Sequence, residues 1–219
     1  MNVLILGATG MVGQGVLREC LLDAGVSRVV TLGRTATGRA HPKLHEIVHA
    51  DLFHLAPVEA QLRGLNACFY CLGVSAAGLS EAEYSRVNYE MTLAVAETLA
   101  RVSPGLTFLY VSGTGTDGTE RGRVMWARVK GRTENALLRL PFRSAFMLRP
   151  GIIVPMHGAK SKTRLYRVFY TLLGPVLPWL QRRFPRAIID TEQLGRAMIE
   201  VARTGYPKQI LEMADLAAM

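Results

Sequence analysis

A short apolar run, Val3 to Leu6, passes straight into glycines at 7, 10 and 13. An amphipathic pattern follows at once: Met11, Val12, Val16, Leu17, Leu21 and Leu22. That order describes a strand, a tight turn and a helix N-terminus. The construction binds a pyrophosphate, because free helix N–H groups and the helix dipole point at the anion and glycine lets the backbone come close. An ordinary strand-to-helix turn needs one glycine, not three at this spacing. Gly7, Thr9, Gly10, Met11, Val12 and Gly13 are therefore the first candidates for nucleotide contact.

Beyond this opening, apolar runs alternate with amphipathic stretches, the pattern of a parallel sheet covered by helices on both faces. Strands are expected near residues 2–7, 28–33, 46–48, 67–72, 106–112 and 144–149. Helices are expected near 11–24, 54–62, 81–102 and 124–140. Regularity fails after Pro150-Gly151. A last helix is predicted over 191–204, with Thr191 as N-cap, and a short strand near 209–213. With 219 residues, 49% hydrophobic and 20% charged, the chain can form one globular α/β domain with a full core. The expected fold is a doubly wound parallel sheet, the Rossmann arrangement. Residues 1–155 form its NAD(P)-binding core, and 156–219 form a small C-terminal appendage packed on it as a lid, substrate or dimer region.

Charge is unevenly placed. The formal net charge is +9, yet residues 121–186 hold 15 Lys/Arg against the single acid Glu134. An anionic cofactor, substrate or lipid would answer such a field. The apolar part of 160–186 is broken by Gly174-Pro175 and Pro178 and falls short of the roughly 20 residues a spanning helix needs. No transmembrane segment is expected there. A lid or homodimer surface is favoured over membrane-surface contact, and no nucleic-acid motif is present. Three cysteines, Cys20, Cys68 and Cys71, fit a reducing compartment, and the opening residues do not form a signal peptide, so a cytoplasmic location is expected. Cys68 and Cys71 lie three apart on a strand and should face opposite sides as structural residues. No metal site is expected.

Several later residues fall where a dinucleotide would reach. Arg34 ends the second strand, and no Asp or Glu occurs from 24 to 45. An acid at this place holds the ribose 2′-hydroxyl of NAD, whereas an arginine accommodates the 2′-phosphate of NADP. Arg34, helped by Arg39, thus favours NADP(H) over NAD(H). Asp51 could accept from the adenine amino group, with Leu52 against the ring; equally it could cap the next helix. Cys71, Leu72 and Gly73 end the fourth strand, at the edge that lines the ligand crevice of an open sheet. Asn88 is read either as a cofactor contact or as a tie to neighbouring backbone.

Taken together, Gly-Ala-Thr-Gly-x-x-Gly, the Cys71-Leu72-Gly73 strand end and Arg149-Pro150-Gly151 resemble the short-chain dehydrogenase/reductase superfamily. The likeness is to its extended or atypical branch, among small NAD(P)H-binding proteins of the Tat-interacting tumour-suppressor oxidoreductase type. The resemblance implies a bound NADP(H), with Pro150, Gly151, Ile152 and Ile153 beside the nicotinamide. It also implies a Tyr-x-x-x-Lys pair and a Ser/Thr hydroxyl. Here Lys130 stands in the lysine position, with Glu134 four residues on along the same helix face. Trp126 stands where the tyrosine is expected, and Ser112 or Thr114 supplies the hydroxyl. An indole N–H donates but cannot shuttle a proton at neutral pH. Three readings of Trp126 stay open. Proton transfer is lost, leaving a cofactor-binding or redox-sensing protein with little or no reductase activity. Alternatively Tyr84, Tyr89, His157 or a water supplies the proton to an oxidoreductase or epimerase-like enzyme. Or the alignment is displaced. The partner is either a small-molecule substrate or a regulatory protein.

Overall fold

The computed structural model describes residues 1–159 and 187–219. The lid, dimer and membrane-surface expectations for 160–186 lie outside the described residues. Strands β1 (Asn2–Leu6), β2 (Arg28–Gly33), β3 (Leu44–Val48), β4 (Ala67–Tyr70), β5 (Thr107–Val111), β6 (Ser144–Arg149) and β9 (Ile210–Glu212) form one sheet in the order β3-β2-β1-β4-β5-β6-β9. All of its pairings are parallel, as the βα alternation requires. Two further strands missed in the sequence, β7 (Ile152–Val154) and β8 (Ile188–Asp190), pair with each other in a separate parallel ribbon. Both have only three residues, too short for a period-2 pattern to register.

Strand alternation divides the core. Val3, Ile5, Val29, Phe69 and Leu148 face a layer made by helices α1 (Met11–Leu22) and α5 (Thr191–Thr204). Leu4, Leu6, Val30, Cys68, Tyr70 and Met147 face α3 (Met91–Val102) and α4 (Met125–Leu138). Cys68 and Cys71 accordingly belong to opposite layers. The end of the chain is integral to this architecture. Helix α5 covers one face, and β9, followed by the short α6 (Met213–Leu216), extends the sheet edge. Among the described residues no helix is long and apolar enough to cross a membrane.

Local chemistry moves several expected boundaries. Asp190, not Thr191, caps α5, its Oδ1 accepting from the Gln193 N–H at 2.7 Å. The helix expected over 54–62 is a 3₁₀ stretch, Ala56–Leu62. The one expected over 81–102 begins as α2 (Glu81–Ser85) in a Ser80/Glu83 capping box, visible in the sequence but not used. It then passes through a π-turn, Arg86–Glu90, before α3. The distortion centres on Asn88, whose carbonyl accepts from the hydroxyls of both Thr92 and Thr133.

Helices α1 and α5 approach closely because Gly15 and Gly195 face the contact. A Cβ on Gly15 would lie 2.4 Å from the Thr191 Cβ, and one on Gly195 2.7 Å from the Glu19 side chain. A Gly→Ala change in an exposed helix gains about 1 kcal/mol. Here the crowding should reverse the sign: Gly15→Ala is expected to cost about 1–3 kcal/mol, as overpacking does. Thermal unfolding would show a lower midpoint; an unchanged or raised midpoint would refute the close contact.

Candidate functional site

The cleft opens where the chain reverses direction across the sheet, between β1 with its neighbour β2 on one side and β4 on the other. Its volume is about 410 Å³, and its walls are Gly7 to Gly10, Thr31 to Thr35, Thr37, Leu52 and Cys71 to Gly73. Gly7 has φ +79°, and a Cβ there would meet the Cys71 carbonyl at 2.7 Å. A Cβ on Gly13 would stand 2.1 Å from the Gly7 carbonyl oxygen. Only glycine at both positions lets α1 start against the end of β1. The Gly10 N–H donates to the Gly7 carbonyl at 2.8 Å, closing the turn. Gly10 is the N-cap of α1, so no side chain satisfies the first-turn amides, and the first turn holds no acid. Those amides and the positive end of the dipole fit a pyrophosphate.

The other walls contain residues the sequence reading singled out and some it did not. Arg34, Leu52, Cys71, Leu72 and Gly73 line the cleft, as do Thr31, Thr35 and Thr37, which carried no motif signal. Arg39 is not among the lining residues. The nearest acid on β3, Glu46, accepts the Thr37 N–H at 2.6 Å and so holds the loop after Arg34. Asp51 is not in the wall and caps no helix. Its carboxylate holds its own turn by accepting from the Phe53 N–H at 2.9 Å and pairing with His54 at 2.7 Å. The helix after it starts from Leu55. Asn88 is a backbone tie: its Nδ2 donates to the Tyr84 carbonyl at 3.2 Å, and its Oδ1 receives the Val74 N–H at 3.4 Å. Burial pushes the Cys71 thiol up to about 12, which leaves it without nucleophilic character at neutral pH.

Beyond Gly73, the ends of β5 and β6 carry the remaining candidates. The Lys130 ammonium donates to the Val111 and Ser112 carbonyls at 3.2 and 3.3 Å and lies 3.4 Å from the Tyr110 hydroxyl. Burial brings its pKa down to about 8, against the opposing pull of Glu134. Glu134, four residues on from Lys130 along the helix, takes its direct ion pair from another element. It is fully buried and binds Arg149 at 2.5 Å, and Arg149 in turn reaches Glu212 at 2.9 Å. This network ties α4 to the ends of β6 and β9. Ser112 and Thr116 share a hydrogen bond at 2.8 Å, and the Thr114 hydroxyl donates to the Arg149 carbonyl at 3.0 Å. Trp126, one turn before Lys130, is half-buried, with its ring against Gly115. Pro150 accepts the Thr114 N–H at 2.9 Å, Gly151 meets Ala187, and Ile152 and Ile153 belong to β7. The other proton-donor candidates are otherwise engaged: Tyr84 is buried, Tyr89 lies under the Arg132 guanidinium at 4.0 Å, and His157 contacts Glu192. Among the described residues no cluster could hold a metal ion.

Comparison with known proteins gives this geometry a context. The family model described as the NAD dependent epimerase/dehydratase family matches residues 3–125, more than half of the chain. The chain belongs to that family. It is similar to the mitochondrial protein fmp52 of Emericella nidulans, 29% identical over 209 residues, covering 90% of this chain and 85% of the relative. It is also similar to the mitochondrial FMP52-2 of Scheffersomyces stipitis, 29% identical over 214 residues, covering 95% and 90%. Both names overturn the cytoplasmic location expected from the sequence. Among solved structures, the fold resembles a double mutant of the dTDP-glucose 4,6-dehydratase DesIV from Streptomyces venezuelae with NAD and DAU bound. The TM-score is 0.71 at 16% identity, over 97% of this chain and 75% of that one. The description of the matched family names NAD.

The Lys130 environment has a pH signature. Its folded pKa of about 8 lies below the ordinary lysine value of 10.5. The folded state therefore loses its proton first as pH rises, and this lysine's contribution to stability increases between those two values. Below pH 8 both states are charged and the full burial penalty remains. Urea midpoints of the wild type minus those of Lys130→Met should rise across that window; a flat difference would place the amine in water.

Proposed function

We propose that this chain binds NADP(H) in preference to NAD(H), and that it serves as a cofactor-binding or redox-sensing protein with little reductase activity. The observation that carries the cofactor choice is Arg34 in the cleft wall, in a stretch without acids from 24 to 45. The two carboxylates closest in sequence beyond it are engaged, Glu46 by Thr37 and Asp51 by Phe53 and His54. An arginine fork matches a 2′-phosphate, whereas a ribose hydroxyl pair calls for a carboxylate acceptor. When bound, the nicotinamide supplies hydride transfer. Gly10 and the first-turn amides of α1 would hold the pyrophosphate, Leu52 would cover the adenine, and Gly73 would admit the backbone of the nucleotide. Lys130, with Pro150 to Ile153, would border the nicotinamide end.

The restriction on activity comes from Trp126. It occupies the helix position, four before Lys130, where a tyrosine would act as acid and base. Its indole can donate a hydrogen bond to an oxygen but cannot deliver a proton. The Ser112 and Thr114 hydroxyls, which would orient a substrate, are held within the protein. A second reading, an active oxidoreductase, draws support from Lys130 itself, since an amine with pKa about 8 is a usable acid near neutrality.

Fluorescence titration with NADPH and NADH decides the cofactor. NADPH should bind more tightly, and Arg34→Ala should weaken it by about 10- to 100-fold, the range of a lost charged hydrogen bond, with little change for NADH. Equal losses for both nucleotides would remove the case for NADP. Trp126→Tyr tests the second half of the proposal: NADPH consumption with a panel of carbonyl compounds should increase at least about a hundredfold, the low end of what general acid catalysis contributes. Wild-type turnover as fast as the variant's would overturn the sensing role.

A further inference from the structure

We infer that Glu46 is a positioning residue of the nucleotide site: by holding the loop after β2, it presents the Arg34 guanidinium to the 2′-phosphate of NADP(H) and so sets the cofactor preference. The inference rests on the reading of Arg34 as the phosphate contact and goes on to what keeps that contact in place. Arg34 stands in the cleft wall with its side chain exposed. A long exposed side chain samples many rotamers. What the protein can fix before the ligand arrives is therefore the backbone that carries it, and fixing that backbone lowers the cost of binding.

Two hydrogen bonds clamp that backbone on either side of the arginine. Before it, the Gly33 carbonyl accepts from the His49 N–H at 2.9 Å, which joins the end of β2 to the residue after β3. After it, the Thr37 N–H donates to the Glu46 carboxylate at 2.6 Å. Only Arg34, Thr35 and Ala36 lie between the two anchors. The Thr37 hydroxyl then accepts from the Arg39 N–H at 3.3 Å, and Gly38 turns the chain at φ +74°. Glu46 pairs in register with Thr31, a buried wall residue, so the two side chains stand on the same face of the sheet. Glu46 itself is half-buried and is not among the wall residues. It acts through the loop, not by touching the nucleotide. Because the acceptor is ionised, this one bond is stronger than a bond between neutral groups.

Fluorescence titration of the full chain with NADPH and NADH provides the test, in Glu46→Ala, Glu46→Gln, Arg34→Ala and the double variant with alanine at both positions. Glu46→Ala frees the loop, so only a fraction of molecules presents Arg34 correctly. NADPH should weaken by about tenfold, the low end for a lost charged hydrogen bond, while NADH affinity and circular dichroism hold. A glutamine side-chain oxygen can accept the same N–H, so Glu46→Gln should keep most of the NADPH affinity. In the Arg34→Ala background, Glu46→Ala should add less than about twofold, because no guanidinium is left to place. Unchanged NADPH affinity, an equal loss for NADH, a glutamine loss as large as the alanine's, or full additivity with Arg34→Ala would each overturn the inference. So would tighter NADPH binding by either Glu46 variant, which would mark the carboxylate as a repulsive neighbour of the phosphate. No NADPH binding, or an Arg34→Ala loss shared by both nucleotides, would remove the Arg34 reading and this inference together. A selective Arg34→Ala loss with Glu46→Ala indifferent removes this inference alone.

Discussion

Helix α1 can begin against the end of β1 only because two glycines leave no atoms between them. The Gly7 carbonyl occupies the space a Gly13 side chain would need, and Gly7 itself lies against the Cys71 backbone at the end of β4. That double contact fixes the first turn of α1 over the gap between β1 and β4. The amides of that turn then point into the crevice with no side-chain cap to occupy them. Were either glycine larger, the helix would have to withdraw from the sheet. The anion site and the packing of α1 on α5 would be lost together, since Gly15 makes the latter contact one turn further along.

Beyond the cleft, at the ends of β5 and β6, the structure depends on charge instead of close packing. A buried glutamate alone would be costly, and so would a buried arginine or lysine. Glu134 offsets this by lying between the Arg149 guanidinium and the field of Lys130. Its partners come from different elements, so the helix bearing Trp126 and Lys130 is registered against the end of β6. The pair therefore links the helix carrying Lys130 to the sheet edge, where β9 supplies Glu212 as the exposed third member.

Much of this was legible in the sequence wherever a residue type has few alternative uses. Three glycines after an apolar run, the period-2 and period-3.6 alternation, and Arg34 at the end of β2 each led to a feature of the fold or the cleft wall. Elements whose cause is tertiary were not legible. Strands β7 and β8 exist because they find each other, across residues remote in sequence. The π-turn at Asn88 follows from hydroxyls on two helices meeting one carbonyl. Helix spacing placed Glu134 on one face with Lys130 but cannot tell that Arg149 will approach it from β6. Asp51 had two plausible tasks by type, and its nearest donors, Phe53 and His54, took it for a third. Thr31, Thr35 and Thr37 line the cleft without any spacing signal, because threonine is as common on strands for its shape as for its hydroxyl.

The two ends of the cleft consequently differ in what they can still do for a ligand. At the glycine turn, the first-turn amides of α1 have no side-chain cap among the described residues. At the Lys130 end, hydroxyls, ammonium and guanidinium are already committed to protein acceptors, and a ligand would have to displace those contacts to gain its own. Under the proposed function, the glycine turn would hold a nucleotide by its phosphates, while these described side chains serve the packing of the protein. Under the proposed function, cofactor binding and the loss of the acid at Trp126 belong to different parts of the same sheet edge. The interactions that keep α4 registered on β6 consume the donors that would otherwise orient a substrate.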